Sequence, residues 1–295
     1  PIPSAQTTAE AGALKTIKAD LLRQGITTPL AADIHFNPKA ALEAAEAVEK
    51  VRINPGNFSD SKRFAQREYT EAEYQEKLRR IAASATPLIQ KCKMLGRALR
   101  IGTNHGSLSD RIMNRYGDTP AGMVESALEY LRVAESLDFR NVLFSMKASN
   151  PVVMLHANRL LVKELDRRET PYPLHLGVTE AGEGEDARIK SALGIGVLLA
   201  EGIGDTLRVS LTEDPVREVP VALGLARWAQ QRWAQGRQVA APLRPFSWER
   251  RVSVAALYGT TVIGGQEPVK VGLFHGDFAH PRQAGGRETP CEFVL

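Results

Sequence analysis

The chain has 295 residues, 43% hydrophobic and 24% charged, with a formal net charge of +4 and a pI near 9.1. It can bury one large core, and its basic residues are interspersed with acids instead of forming the stripe that a nucleic-acid partner needs. No stretch approaches the roughly 18 uncharged apolar residues of a membrane span and no secretory series opens the chain, so neither membrane nor nucleic acid is expected and a cytoplasmic location follows by default.

A helix is expected near Thr8 to Arg23, and after it short apolar strands that each end in charged or amide side chains and run into a helix. In chain order the strand ends are Asp33-Ile-His35, Arg52-Ile-Asn54-Pro-Gly56, Arg100-Ile-Gly-Thr-Asn104-His-Gly-Ser107, Phe144-Ser-Met-Lys147-Ala-Ser149, Gly177-Val-Thr-Glu180-Ala-Gly-Glu183 and Leu207-Arg208-Val-Ser210. Asn37-Pro38, Thr119-Pro120, Asn150-Pro151 and Asp214-Pro215 each place a side-chain acceptor before a proline, which suits an N-cap and first helical position. Thr70 with Glu73 forms a capping-box pattern ahead of a long helix to about Leu95, which Pro87 should kink or divide. Apolar periodicity follows, as in Met123, Ala127, Leu128, Leu131 and Ala134.

The strands are rich in Val, Ile and Leu with no polar alternation through their middles, as strands covered on both faces require. Strand and helix alternate through about six units between Pro29 and Trp233, which predicts parallel pairing through right-handed crossovers. The expected fold is a TIM (β/α)8 barrel, incomplete at the N-terminus by two strands, over residues 1–240. A doubly wound open sheet, for which six strands suffice, is the alternative. Residues 241–295 turn rich in Pro, Gly and β-branched types, with strand candidates at Ser253 to Leu257 and Val269 to Phe274. They read as the start of a second α/β domain.

In a parallel sheet the carboxyl ends of the strands share one face, so these polar groups should converge. Any one of Arg52, Arg100, Lys147 and Arg208 could be an ion-paired surface residue; together they read as a clamp for phosphate or diphosphate, with Arg forks matched to paired oxygens. Asn54, Thr103, Asn104, Ser107, Ser145, Ser149 and Ser210 supply neutral donors or, for Asn54 especially, turn and capping chemistry. Glu180 should point into the basic face, either as a counter-ion or as a group acting on the substrate. His35 and His105 also end strands and His156 falls within a helix, but none stands at metal-ligand spacing, and no metal site is expected in this portion. Cys92 and Cys291 read as reduced, buried or incidental. Two other functions stay open: a Schiff-base aldolase working through Lys147, and a non-enzymatic phosphate-ligand binding module.

The motifs Ala32-Asp-Ile-His-Phe36, Val51-Arg-Ile-Asn-Pro-Gly-Asn57, Arg100 to Asp110, Phe144 to Val153, Leu174 to Asp186 and Gly204 to Thr212 resemble, in order, the 4-hydroxy-3-methylbut-2-enyl diphosphate synthases of the non-mevalonate isoprenoid pathway. The His-Gly-Ser and Gly-Glu-Gly-Glu forms resemble the plant-like three-domain type. The resemblance implies an oxidoreductase in which a barrel is joined to a C-terminal domain holding a 4Fe-4S cluster. It implies reductive ring opening of 2-C-methyl-D-erythritol 2,4-cyclodiphosphate to (E)-4-hydroxy-3-methylbut-2-enyl diphosphate, with ferredoxin or flavodoxin as electron donor. Arg52, Arg100, Lys147 and Arg208 would then bind the diphosphate, assisted by Asn54, Asn104 and Ser210. Asp33 and Glu180 would face the carbon skeleton as catalytic groups, Glu180 helping to protonate or orient the hydroxyl that leaves as water. The family's cluster caps the barrel of a partner subunit, as in a homodimer, or of its own chain in the three-domain form, and a plant member would work in the plastid stroma. The first two strands with an arginine they carry, and the cluster domain with its cysteine ligands, are expected to lie outside this chain, which alone should be inactive.

Overall fold

Thr7 accepts from the Glu10 N–H while the Glu10 side chain returns to the Thr7 N–H, and this capping box starts α1 (Thr8–Arg23). The computed structural model describes residues 4–34, 36–59, 69–168, 170–236, 253–258, 261–267 and 270–271. After α1 come β1 (Ala31–Ile34), α2 (Pro38–Ala47), β2 (Lys50–Ile53), the short α3 (Pro55–Phe58), α4 (Glu71–Leu95), β3 (Ala98–Asn104), α5 (Asp110–Tyr116), α6 (Pro120–Ser136) and β4 (Val142–Lys147). The chain continues through α7 (Pro151–Arg167), β5 (His175–Leu176), α8 (Gly184–Ala200), β6 (Thr206–Leu207), α9 (Glu218–Ala234), β7 (Ala256–Tyr258), β8 (Thr261–Ile263) and β9 (Lys270–Val271). Asn37, Thr119, Asn150 and Asp214 all cap as their prolines indicate, Asp214 opening a single 3-10 turn that leads into α9.

Strands β1 to β4 pair in parallel in chain order, and a parallel bridge from Phe144 to Leu174 carries the order on to β5, β6 and β9. A second bridge pairs Ser4 with Asp33 on the other edge of β1. From β1 to β6 the neighbours are sequential, the order of a (β/α) barrel wall; a doubly wound sheet reverses direction at a switch point, and none occurs among these described strands.

The two faces of this wall differ chemically. Ala32, Ile34, Val51, Ile53, Leu99, Ile101, Val142, Phe144 and Met146 are buried in one apolar core with the helices. The alternate positions, pointing the opposite way, are Ala31, Asp33, Lys50, Arg52, Ala98, Arg100, Gly102, Asn104, Leu143, Ser145 and Lys147, most of them polar or charged. The strands therefore do alternate apolar and polar, contrary to the expectation from their Val, Ile and Leu content: the helix side is dry and the inner side is a cationic lumen.

Pro87 does not divide α4, which runs unbroken for 25 residues. Its loss of one backbone donor is offset by the burial of Ala85, Leu88, Ile89 and Cys92 on the face packed toward α2 and α6. Between α4, α5 and α6 a buried carboxylate, Glu129, takes both Arg111 guanidinium nitrogens at 2.6 Å and the Tyr74 hydroxyl at 2.8 Å.

The amino-terminal end of the wall is covered by the β7–β8 hairpin. Ser253 Oγ donates to Asp205 Oδ1 at 2.7 Å, Asp205 Oδ2 accepts from the Leu174 N–H at 2.8 Å, and the Asn141 amide reaches the Leu257 carbonyl at 2.9 Å. The strand expected at Ser253 to Leu257 begins at Ala256, and of the candidate at Val269 to Phe274 the described pair Lys270–Val271 lies parallel to β6. His35 and Cys291 lie outside the described residues.

Candidate active site

Register builds the site. Asp33, Arg52 and Arg100 stand side by side across β1, β2 and β3; Gly102 and Ser145 form the next row toward the carboxyl end, and Asn104 and Lys147 the row above that. Arg52, only 3% exposed, spans these rows: Nη1 donates to Asp33 Oδ1 at 2.7 Å, and Nη2 to the Gly102 carbonyl at 2.8 Å and Asn104 Oδ1 at 3.4 Å. A Cβ on Gly102 would lie 2.4 Å from Arg52 Nε, so glycine is what lets the guanidinium cross. Arg100 is the third residue of a seven-residue strand, deeper in the lumen than the strand end at which it was expected.

Lys147 ends β4 and lays its stem over Gly177, where a Cβ would lie 3.2 Å from Lys147 Cε and 3.2 Å from the Arg208 carbonyl. Arg208 follows β6 directly, its N–H bonded to the Leu176 carbonyl at 2.9 Å. Burial, reinforced by Arg100, Arg208 and Arg52 and opposed by Asp33, holds the Lys147 ammonium well below the ordinary lysine value. The four cations read from the sequence thus share one lumen, with Asp33 beside them.

Three further groups belong to this lumen and escaped sequence reasoning. Lys50, fully buried two residues before Arg52, is held well below the ordinary lysine value by burial and then by Arg100. His175, fully buried on β5, sets Nδ1 2.8 Å from Thr206 Oγ1, and burial followed by Arg100, Lys147, Lys50 and Arg208 keeps its imidazole neutral. Glu218, at the start of α9, accepts from the Leu211 N–H at 3.0 Å and so fixes the chain just after Ser210. Burial raises its pKa; the Leu211 N–H and the nearby charges of Arg208 and Lys147 pull the other way. Period-two spacing from Arg52 and from Gly177 was the available signal for Lys50 and His175.

Other expected residues are placed differently. Asn54 is fully buried and its amide is committed to the loop: Oδ1 accepts from the Gly56 N–H at 3.2 Å and Nδ2 donates to Ser107 Oγ at 2.8 Å. Glu180 does not end a strand. It lies four residues beyond β5 in the left-handed region at φ 53°, its side chain is exposed, and its carbonyl accepts from Lys190 Nζ at 3.3 Å. The early end of β5 and the turn leading to α8 carry it to the rim, away from the buried cations. Ser210 is half-buried beside the same rim and Ser149 is exposed. Ser145 Oγ and Thr103 Oγ1 are buried without a hydrogen-bond partner among the described residues, Ser145 on the lumen side and Thr103 on the helix side.

A metal cluster does not fit these groups. Among the described residues no three His, Cys, Asp or Glu side chains come together, and Cys92 is buried in α4 with its thiol pushed up to about 12 by desolvation.

The sequence that builds this lumen is similar to that of known proteins. A family model described as the GcpE TIM-barrel domain covers residues 4–223. The chain is 54% identical over 266 residues to the 4-hydroxy-3-methylbut-2-en-1-yl diphosphate synthase (flavodoxin) of Leptospira interrogans, covering 89% of this chain and 40% of the relative. It is 53% identical to the flavodoxin enzyme of Akkermansia muciniphila, with 92% and 47% covered, and 59% identical to the chloroplastic ferredoxin enzyme of Oryza sativa, with 74% and 29% covered. The chain thus spans less than half the length of these curated relatives. With the matching model extending from the first described strand residue into α9, the chain belongs to the GcpE TIM-barrel domain family.

Proposed function

We propose that this chain is the substrate-holding barrel of a 4-hydroxy-3-methylbut-2-en-1-yl diphosphate synthase and that its lumen binds 2-C-methyl-D-erythritol 2,4-cyclodiphosphate. The observation that carries the reading is the convergence of buried Arg52 and Arg100 with half-buried Lys147 and Arg208 on one face, where mutual repulsion is relieved by a multiply charged anion. Arg52 is preorganised by Asp33 and Gly102, so its fork meets phosphate oxygens without reorganising. When the ring opens, negative charge grows on the departing diphosphate oxygen, and fixed cations in a water-poor lumen stabilise it most where it grows most. The same burial and neighbouring arginines that lower the Lys147 proton affinity are opposed by an entering anion, which favours the charged ammonium.

Electron delivery from flavodoxin or ferredoxin is what the relatives' names indicate for them, and an iron-sulfur cluster is what the resemblance implies. The described residues supply no ligands for a cluster, and the steps assigned to them are binding, orientation and charge stabilisation. Asp33 faces the lumen beside the substrate carbons; Glu180, at the rim, reaches the leaving hydroxyl only if the loop between β5 and α8 turns inward on substrate binding. The relatives' names support this reading and not the aldolase through Lys147.

Calorimetric titration of the cyclodiphosphate into the chain tests the reading. Saturable binding that inorganic pyrophosphate competes away is expected. Absence of binding, or borohydride trapping of a phosphorylated carbonyl compound on Lys147, would overturn it.

A further inference from the structure

Between the two rows of clamp cations β5 contributes a buried histidine, His175. The β5–β6 register sets His175 against Thr206, and two residues further along the same faces lie Gly177, over which Lys147 passes, and Arg208. His175 therefore stands in the row of Gly102 and Ser145, one row beneath Lys147 and Arg208 and one row above Arg52 and Arg100. It is fully buried, its Nδ1 is 2.8 Å from Thr206 Oγ1, and its Nε2 has no hydrogen-bond partner among the described residues. A buried ring nitrogen left open calls for an explanation, and here the ring is surrounded by Arg100, Lys147, Lys50 and Arg208.

We propose that His175 is a neutral donor of the anion site: the Thr206 hydroxyl donates a hydrogen bond to Nδ1, and Nε2–H is directed at an oxygen of the bound phosphate group. The inference rests on the reading of the lumen as a diphosphate site and adds a residue to it. A neutral donor suits the position physically. A further cation would add to the repulsion among Lys50, Arg100, Lys147 and Arg208 in the empty lumen, whereas an imidazole offers a hydrogen bond without adding charge. The Thr206 contact fixes the ring plane and the tautomer together, as second partners of histidine rings do elsewhere. The free Nε2 then completes its hydrogen bonding only when the anion is present.

Two substitutions separate this role from a packing role. Gln places its amide nitrogen near the position of Nε2 and keeps a donor there, while Asn reaches only as far as Nδ1 and keeps the Thr206 contact alone. With inorganic pyrophosphate as the probe, His175→Asn should lose roughly tenfold in affinity and His175→Gln should recover most of it. Should either variant fail to fold, nitrogen-15 NMR of the histidine-labelled wild-type chain decides independently: Nε2 should carry the proton and shift saturably with pyrophosphate, at the midpoint calorimetry gives. Wild-type affinity in folded His175→Asn, or a bare Nε2 unmoved by saturating pyrophosphate, would overturn the proposal while leaving the clamp intact. A wild-type chain that binds no pyrophosphate would overturn both.

Discussion

Asp33 and Arg52 are directly paired across β1 and β2, and the Arg52 guanidinium donates to the Asp33 carboxylate at 2.7 Å with side chains only 16% and 4% exposed. This pair joins the apolar wall to the cationic lumen. It places one negative charge among the cations and aims the remaining face of the Arg52 fork along Gly102 and Asn104.

Asp33→Asn should therefore destabilise the chain by about 2–4 kcal/mol, because the Arg52 charge stays buried after its partner is neutralised. Urea unfolding of the two proteins measures it. A change below about 0.5 kcal/mol would show that Arg52 is balanced elsewhere.

Two glycines should behave oppositely. At Gly56 a Cβ would lie 1.7 Å from the Ser107 carbonyl oxygen, a backbone atom that cannot yield, so Gly56→Ala should cost about 3 kcal/mol or more and pull the Asn54–Ser107 loop contact apart. At Gly102 the nearest atom is Arg52 Nε, the end of a movable side chain, so Gly102→Ala should cost less stability and more pyrophosphate affinity. Unfolding and calorimetry on both variants check the contrast, and equal losses of stability would contradict it.

Stability should climb with pH. His175, Lys50 and Lys147 are bases held below their ordinary values of 6.5, 10.5 and 10.5. Each binds fewer protons folded than unfolded between its lowered value and that ordinary value, and in that interval stability rises with pH. Lys50→Met removes one such group and should flatten the rise by up to about 1.4 kcal/mol per pH unit on the alkaline side. Urea midpoints at successive pH values measure the slope; a variant slope identical to wild type would mean that Lys50 keeps its proton on folding.

Cys92 should be chemically silent. Its thiol lies in the core under α4 and is pushed up to about 12, so a disulfide reagent at neutral pH should label it only after unfolding. Rapid labelling of the native protein at this position would show that α4 opens locally.

Helix starts such as Asn37-Pro38 and Asn150-Pro151 were legible because capping is local chemistry, decided within three residues. The convergence of Arg52, Arg100, Lys147 and Arg208 was legible because parallel strands bring equivalent positions together whatever the loops do. Lys50 was not, since a lysine opening a strand reads as solvated until the opposite end of the barrel is known. His175 was hidden between two leucines that face the helices. Glu180 illustrates the converse: strand-like lettering around it promised an inward side chain, but β5 ends at Leu176 and a left-handed turn sends the carboxylate to the rim. Where a strand stops is decided by its neighbours' register, which the sequence around Glu180 does not contain.

The most direct test of the diphosphate lumen is calorimetric titration of the cyclodiphosphate into the wild-type chain and into Arg208→Ala. The surface variant Arg132→Ala, whose partner Glu125 lies outside the lumen, serves as control. The clamp predicts at least a tenfold loss of affinity for Arg208→Ala and none for the control, since a charge-assisted hydrogen bond to phosphate is worth about 1.5–3 kcal/mol. Unchanged affinity in folded Arg208→Ala would contradict it.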